Sequence, residues 1–266
     1  MGHRGRQVRR QLGLAFATGL MLIVSVAVSG SAPEVSSARR PGPEFQFVRL
    51  AYSDNPNFSF GRFRGFGGGA WTTDAPEAEE HFMQGVHRLT RVNAGDDSIG
   101  LRPLDDEIFN YPWLYAVEVG RWELSDEDAA HLREYLLRGG FLMVDDFHGT
   151  VQWEGFMESM RRVFPDRAVV EIPDDHEVFH VVYDLDHKIQ IPGSAALMSG
   201  RTYEQDGVEP HWRGIFDDDG RLMVAINFNM DLGDGWELAD TPDYPQAYTA
   251  LAYRFGINYI IYSMSH

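Results

Sequence analysis

Two carboxylates and an imidazole stand within four consecutive residues, Asp145-Asp146-Phe147-His148. A carboxylate can ligate a cation or accept a proton, and an imidazole can give or take one near neutral pH. Asp146 and His148 are therefore the candidates for acid–base work or for holding a divalent cation, with Asp145 as a neighbouring ligand contact. Adjacent side chains on a strand point to opposite faces, so one of the two aspartates is expected to line a crevice. The competing structural reading is that one aspartate caps the next helix and His148 bonds to a loop.

Further along, His176-Glu177-Val178-Phe179-His180 matches the pattern H-E-x-x-H. Zinc peptidase chemistry needs that spacing on a helix, where both histidines share a face. Pro173 upstream and the run of Val178, Phe179, Val181, Val182 and Tyr183 favour a strand. There the histidines would stand about 13 Å apart, too far for one metal. What remains for His176 and His180 is that one of them reaches the Asp146 crevice.

Asn227, Asn229 and Asp231 alternate with Ile226, Phe228 and Met230, which puts them on one face of a strand or its extension. N-x-N-x-D imitates the start of an EF-hand loop, but Leu232 and Leu238 stand where glycine and glutamate are required. Asn229 and Asp231 are thus either a ligand-facing row or part of a solvated sheet face. Trp236 follows in an expected loop, where its ring either stacks on a sugar or packs the loop down. Arg62 and Arg64, among Gly61, Gly65, Gly67, Gly68 and Gly69, offer an anion-binding loop at the next helix N-terminus. No Walker lysine accompanies them, and a plain surface loop is the alternative. There is no G-x-S-x-G elbow and no cysteine, so serine-elbow hydrolysis, thiol nucleophiles, thiolate zinc and disulfides are all excluded.

These residues need elements to hold them. Phe45–Tyr52 alternates as a strand. Asp74 with Glu77 reads as a capping box that opens a helix to about Val92. Short strands are expected at Ile99–Leu101 and Trp113–Val117. Ser125-Asp126-Glu127-Asp128 caps a helix that ends at Gly139-Gly140. Phe141–Val144 is a continuous apolar run, as in a strand covered on both faces. A helix from about Val151 to Phe164 stops at Pro165, and Ala168–Ile172 is the next strand. Trp212–Phe216 and Arg221–Phe228 form a hairpin about Asp217-Asp218-Asp219-Gly220. A last helix runs from about Tyr244 to Ile257 and on towards Tyr262. Strand, helix and strand at this spacing predict βαβ units and a mostly parallel sheet. In such a sheet, ligands bind beyond the carboxyl ends of the strands, where Asp145 to His148 would lie.

The chain's 266 residues, 44% hydrophobic and 13% aromatic, suffice for a large buried core. The first 32 residues differ from the rest. Arg4, Arg6, Arg9 and Arg10 precede an apolar run from Leu12 to Val28 and the small residues Ser29 to Ala32. That is the order of a secretory signal peptide, with an uncleaved anchor as the alternative; Arg9-Arg10 also permits twin-arginine export. Residues 33–44 read as a linker to one domain over 45–266. Without the first segment, 19 of the 23 basic residues face all 40 acidic ones, a formal charge of −21, and Lys188 is the only lysine. Such a surface repels nucleic acid and anionic membranes and suits cations, neutral sugars or basic partners.

G-G-F-L-M-V-D-D-F-H-G at 139–149, Y-P-W-L-Y at 111–115, I-P-D-D-H-E-V-F-H-V-V-Y-D-L at 172–185 and Y-R-F-G-I-N-Y-I-I-Y at 253–262 resemble the bacterial "domain of unknown function 4159" family. The resemblance implies a flavodoxin-like fold similar to class I glutamine amidotransferases, with an added C-terminal hairpin and helix. In that fold the turn after this strand carries the cysteine nucleophile, and here it reads Asp145 to His148. The resemblance also implies an envelope setting beside BatA-like and von Willebrand-type membrane proteins, with MoxR-type ATPases encoded nearby. It brings no activity. The expectation is an exported binding or interaction module of the cell envelope; the alternatives are an Asp/His hydrolase of an envelope carbohydrate, with or without a divalent cation, and a purely structural partner.

Overall fold

The computed structural model describes residues 42–57, 69–186 and 188–266. The expected export segment, most of the linker, and Arg62, Arg64, Gly61, Gly65, Gly67 and Gly68 lie outside them. No helix among the described residues is long and apolar enough to cross a membrane.

The chain opens with β1 (Phe45–Leu50) and a two-residue β2 (Ser53–Asp54), then α1 (Glu77–Leu89) and β3 (Ala94–Leu101). β4 (Trp113–Val117), β5 (Trp122–Glu123), α2 (Asp126–Leu137), β6 (Phe141–Asp145) and α3 (Gly149–Val163) follow. Then come β7 (Val170–Glu171), α4 (Ser194–Met198), β8 (His211–Phe216), β9 (Leu222–Phe228), α5 (Leu232–Glu237) and α6 (Gln246–Ser265). The main sheet has the order β3-β1-β4-β6-β9-β8-β7, and β2 pairs with β5 apart from it. β3, β1, β4, β6 and β9 are mutually parallel, in the flavodoxin order if counted along the chain. β8 is antiparallel to both β9 and β7, so it alone runs against the rest. The expected strand after α3 therefore keeps its direction but moves out to the edge, beyond the hairpin.

Every residue of β4, β6 and β9 is buried, as their apolar runs require of central strands. Alternation divides the core. Trp113, Tyr115, Phe141 and Met143 face α1 and α6, while Leu114, Ala116, Leu142 and Val144 face α2 and α3. α2 begins with the expected capping box: Ser125 Oγ accepts from Asp128 N–H, and the Asp128 carboxylate accepts from Ser125 N–H. Gly139 ends that helix at φ 109°, a conformation that costs glycine little.

Two expectations fail. Asp74 does not cap α1, which starts at Glu77 behind Pro76 with no side-chain cap. The segment after Pro173 is not a strand but a single 3-10 turn, Glu177–Phe179, inside irregular chain. There the apolar side chains Val178 and Phe179 are buried in the core between the sheet and α6 instead of alternating along an edge.

Candidate functional site

The parallel strands all end at one edge, and acids gather there. Asp145, the last residue of β6, is wholly buried. Its Oδ2 accepts the backbone N–H groups of Leu232 at 2.8 Å and Gly233 at 3.0 Å, and so anchors the first turn of α5. Its Oδ1 is buried without a partner. The chain then turns through φ 51° at Asp146, whose N–H donates to Met230 O at 3.1 Å and keeps the exits of β6 and β9 side by side. Asp145 lies beneath the crevice and Asp146 lines it, as the two-face argument requires.

Neither aspartate caps α3. Gly149 N–H donates to Asn229 Oδ1 at 2.9 Å, Thr150 N–H donates to Asp206 Oδ1 at 2.8 Å, and His148 N–H donates to Gln152 Oε1. His148 Nε2 instead meets Asp146 Oδ1 at 3.1 Å, while Nδ1 is buried and unpartnered.

Asp231 and Asp74 complete the cluster. Asp231 caps α5, its Oδ1 accepting from Asp234 N–H at 2.7 Å. Asp74 sits at φ 62° before α1, and its Oδ2 is sealed from solvent with no partner. Carboxylate oxygens of Asp74, Asp146 and Asp231 lie within 4.8 Å of one another, and so do those of Asp74, Asp234 and Glu237. Backbone makes room for them: a Cβ on Gly233 would stand 2.5 Å from Asp74 Oδ2, and one on Gly193 would stand 2.7 Å from Asp231 Oδ2. Among the described residues, every non-glycine with positive φ belongs to this edge: Asp74, Glu118, Asp146, Gln205 and Asn229. Such conformations are costly and concentrate where geometry serves a purpose.

The electrostatics are one-sided. Burial first, then the charge of Asp146, raises the pKa of Asp74, Asp145 and Asp231 well above the carboxylate range. The same causes push Glu118 up to about 8. Burial and a hydrogen bond with Asp234 push Glu237 up to about 7. Burial also raises Glu204, which faces Asp231 across Gly193. Compensating cations are scarce among the described residues. Arg49, the nearest buried one, is spent on Glu79 and on the carbonyls of Trp71 and Thr73. Glu118 pairs with Arg121 at 3.2 Å. Among the described residues no arginine or lysine forms an ion pair with Asp74, Asp145, Asp146, Asp231, Asp234 or Glu237.

Of the residues singled out from sequence, the structure brings Asp145, Asp146, His148 and Asp231 together. It does not bring the others. Asn229 spends its side chain on Gly149 N–H and on Glu209 O, so it fixes α3 instead of facing a ligand. His176 packs on Phe216 and Tyr262 at the opposite edge, where β9 begins. His180 is held by Asp184 and the Asp174 carbonyl. Neither histidine reaches Asp146, because the chain after β7 turns back across the α6 face. Trp236 is fully buried and stacks on Phe82 with ring centroids 4.2 Å apart, so it packs α5 down and has no face for a sugar. Arg62 and Arg64 lie outside the described residues.

Sequence reasoning missed Asp74, Glu118, Glu204, Asp234 and Glu237. The false capping box hid Asp74. Asp234 and Glu237 carried a usable signal, the i, i+3 spacing of a helical face, but two glycines made their helix look like a loop.

No curated protein matches the chain. The family described as Domain of unknown function (DUF4159) matches residues 46–264, from β1 to the end of α6, including each acid of the crevice, and the chain belongs to that family.

Proposed function

We propose that this is an exported binding module whose crevice holds a divalent cation between Asp74, Asp146 and Asp231. The carrying observation is Asp74: one oxygen is sealed from solvent with no protein partner, on a carboxylate that converges with two others to within 4.8 Å. An uncompensated buried carboxylate is costly, and a bound cation removes that cost. Donors that are all oxygen suit Mg2+, Ca2+ or Mn2+. A cation held by three carboxylates keeps open positions for a ligand with hydroxyl or carbonyl oxygens, such as a neutral carbohydrate. The acidic surface turns polyanions away.

Export is supported by the order of the first 32 residues: arginines, apolar run, small-residue exit. The envelope proteins implied by the resemblance, BatA-like and von Willebrand-type, are the partners this reading proposes. Calorimetry of the full chain against Mg2+, Ca2+ and Mn2+ tests the site. Saturable binding weakened at least about tenfold in Asp146→Asn is expected, a loss of about 1.4 kcal/mol. Absence of binding to all three ions would sink the reading.

A second reading, a cation-dependent hydrolase of an envelope carbohydrate, is favoured by His148. Its Nε2 is bound to Asp146 at 3.1 Å and its Nδ1 is buried without a partner, so the pair is oriented as in general acid–base catalysis once a ligand opens the crevice to it. Turnover of a glycan panel that disappears in His148→Gln while cation binding persists would establish it. A panel left intact leaves the binding module.

A further inference from the structure

The crevice has more carboxylate than one cation can answer. Asp74, Asp146 and Asp231 make one set of converging oxygens, and Asp74, Asp234 and Glu237 make another. We propose that the site is binuclear: Asp74 bridges two divalent cations, the second held by Asp234 and Glu237 on α5. This rests on the cation reading above and extends it.

Asp234 and Glu237 stand at i and i+3 on α5, so both side chains leave the same face of the helix. That helix is fixed from below by Asp145, which takes the N–H groups of Leu232 and Gly233, and from one end by the Asp231 cap. The second set of ligands is therefore tied to the first by short, directional bonds. Asp234 accepts Ser194 N–H through Oδ2 at 2.6 Å and hydrogen-bonds Glu237, a carboxyl–carboxylate contact whose shared proton a second cation would replace. The His81 imidazole is turned to the carbonyls of Trp236 and Glu237 through Nδ1, at 3.1 and 2.9 Å.

Three further points favour two ions. First, Asp74 Oδ2 is without a partner although solvent cannot reach it, and a Cβ on Gly233 would fall 2.5 Å from it. Asp74 belongs to both sets, and a carboxylate common to two sets of ligands is the usual bridge of two-metal sites, where the ions stand about 3.5–4 Å apart. Second, Asp145 is wholly buried with Oδ1 also unpartnered, so the floor of the same crevice carries a further unsatisfied oxygen. Third, in the ionised state that metal binding requires, Asp74, Asp146, Asp231, Asp234 and Glu237 carry five negative charges, of which one divalent ion balances two and two ions balance four. Every donor in the second set is a carboxylate oxygen, so the class of ion is again a hard one, Mg2+, Mn2+ or Ca2+.

Mn2+ alone is the probe. The full chain, stripped with chelator, is titrated with Mn2+, and bound metal is counted while its electron paramagnetic resonance is recorded. Two equivalents with an exchange-coupled signal are expected for the native chain. Glu237→Gln and, separately, Asp234→Asn should each leave one equivalent and the signal of an isolated ion. Both variants keep the shape of the side chain, and Glu237 is half-exposed, so circular dichroism should match the native chain. One equivalent in the native chain, unaffected by either substitution, overturns the binuclear site and leaves the single-cation reading standing. Two equivalents without coupling overturn the Asp74 bridge. No bound Mn2+ overturns both readings together.

Discussion

The two edges of the main sheet treat their acids in opposite ways. Where the strands begin, Asp217 meets Arg221 at 3.0 Å, Asp218 meets Arg167 at 3.0 Å, and Glu177 meets His266 at 3.1 Å. Arg133 grips Asp166 there with both terminal nitrogens and holds its carboxyl below the ordinary range. Where the strands end, burial and mutual repulsion hold Asp74, Asp145, Asp231, Glu118, Glu204 and Glu237 above it. The residue types are the same at both edges. What differs is the compensating charge among the described residues: one edge answers its acids with arginines and histidines, and the other leaves most of its converging carboxyls without a basic partner. Part-exposed pairs contribute little to stability, whereas buried like charges dominate the energetics around them. The comparison therefore separates a solvated surface from a crevice of buried, mutually repelling carboxyls.

The largest expected effect is at Asp145, where structure and charge can be pulled apart. Asp145→Ala strands the buried N–H groups of Leu232 and Gly233 and frees the first turn of α5. Each such group costs about 1–3 kcal/mol, so a loss of about 3 kcal/mol is expected in urea unfolding. Asp145→Asn keeps an acceptor for both groups and removes an ionisation that burial and Asp146 already oppose. Without cation it should unfold within about 0.5 kcal/mol of the native chain, or be more stable. Equal losses in the two variants would mean that the charge itself, and not the two bonds, ties α5 to the sheet.

The next effect is the dependence on pH. A carboxyl whose pKa is raised in the fold is protonated there while it is ionised in the unfolded chain. Between its unfolded value, about 3.9 for aspartate and 4.3 for glutamate, and its raised value, the native state holds the extra proton. Stability is then fully present on the acid side and lost as pH rises through that window. With Glu237 near 7 and Glu118 near 8, the cation-free chain should lose stability steadily from about pH 5 to pH 8. A divalent ion bound as proposed would replace the protons of its own ligands, that of Glu237 among them. At pH 8 and one hundred times its dissociation constant it should restore about 2.7 kcal/mol. Thermal unfolding in chelator and in excess Mg2+ or Ca2+ at both pH values measures this. A cation-free curve that rises with pH would erase the difference between the two edges.

Much of this was legible in the sequence, but unevenly. Local signals read well: the Ser125 cap, the apolar run of β6, the turn at Gly220 and the pair Asp146 and His148 beyond a strand end. Each depends on neighbours in the chain. Asp74 failed for the same reason, since Asp-Ala-Pro-Glu satisfies the local pattern of a capping box. What overrides it is the crevice on the far side of the sheet's end, which draws Asp74 into positive φ and starts the helix three residues later. The histidine pair failed from the other side. The β-branched and aromatic run around them suggested a strand, but burial of Val178 and Phe179 under α6 folded the segment into a turn. Acids that converge from separate loops have no signature in spacing, and only the strand-end rule pointed to where they meet.

The smallest expected effect comes from the paired edge and serves as the control. Arg221 binds Asp217 and also donates to the carbonyls of Leu136 and Gly140, which joins the end of α2 to the start of β6. Arg221→Ala removes those bonds near the surface, where water can take them over, and should cost about 1–2 kcal/mol in urea unfolding. Because Asp217 belongs to the edge that carries its own cations, the substitution should leave divalent-ion affinity unchanged within twofold. His180→Ala, which releases only Asp184 and the Asp174 carbonyl, should do still less to stability and nothing to cation binding. If either substitution shifted the affinity for Mg2+ or Ca2+ tenfold, the two edges would be electrostatically continuous, and the crevice would owe its behaviour to the net charge of the whole domain instead of to the acids that converge within it.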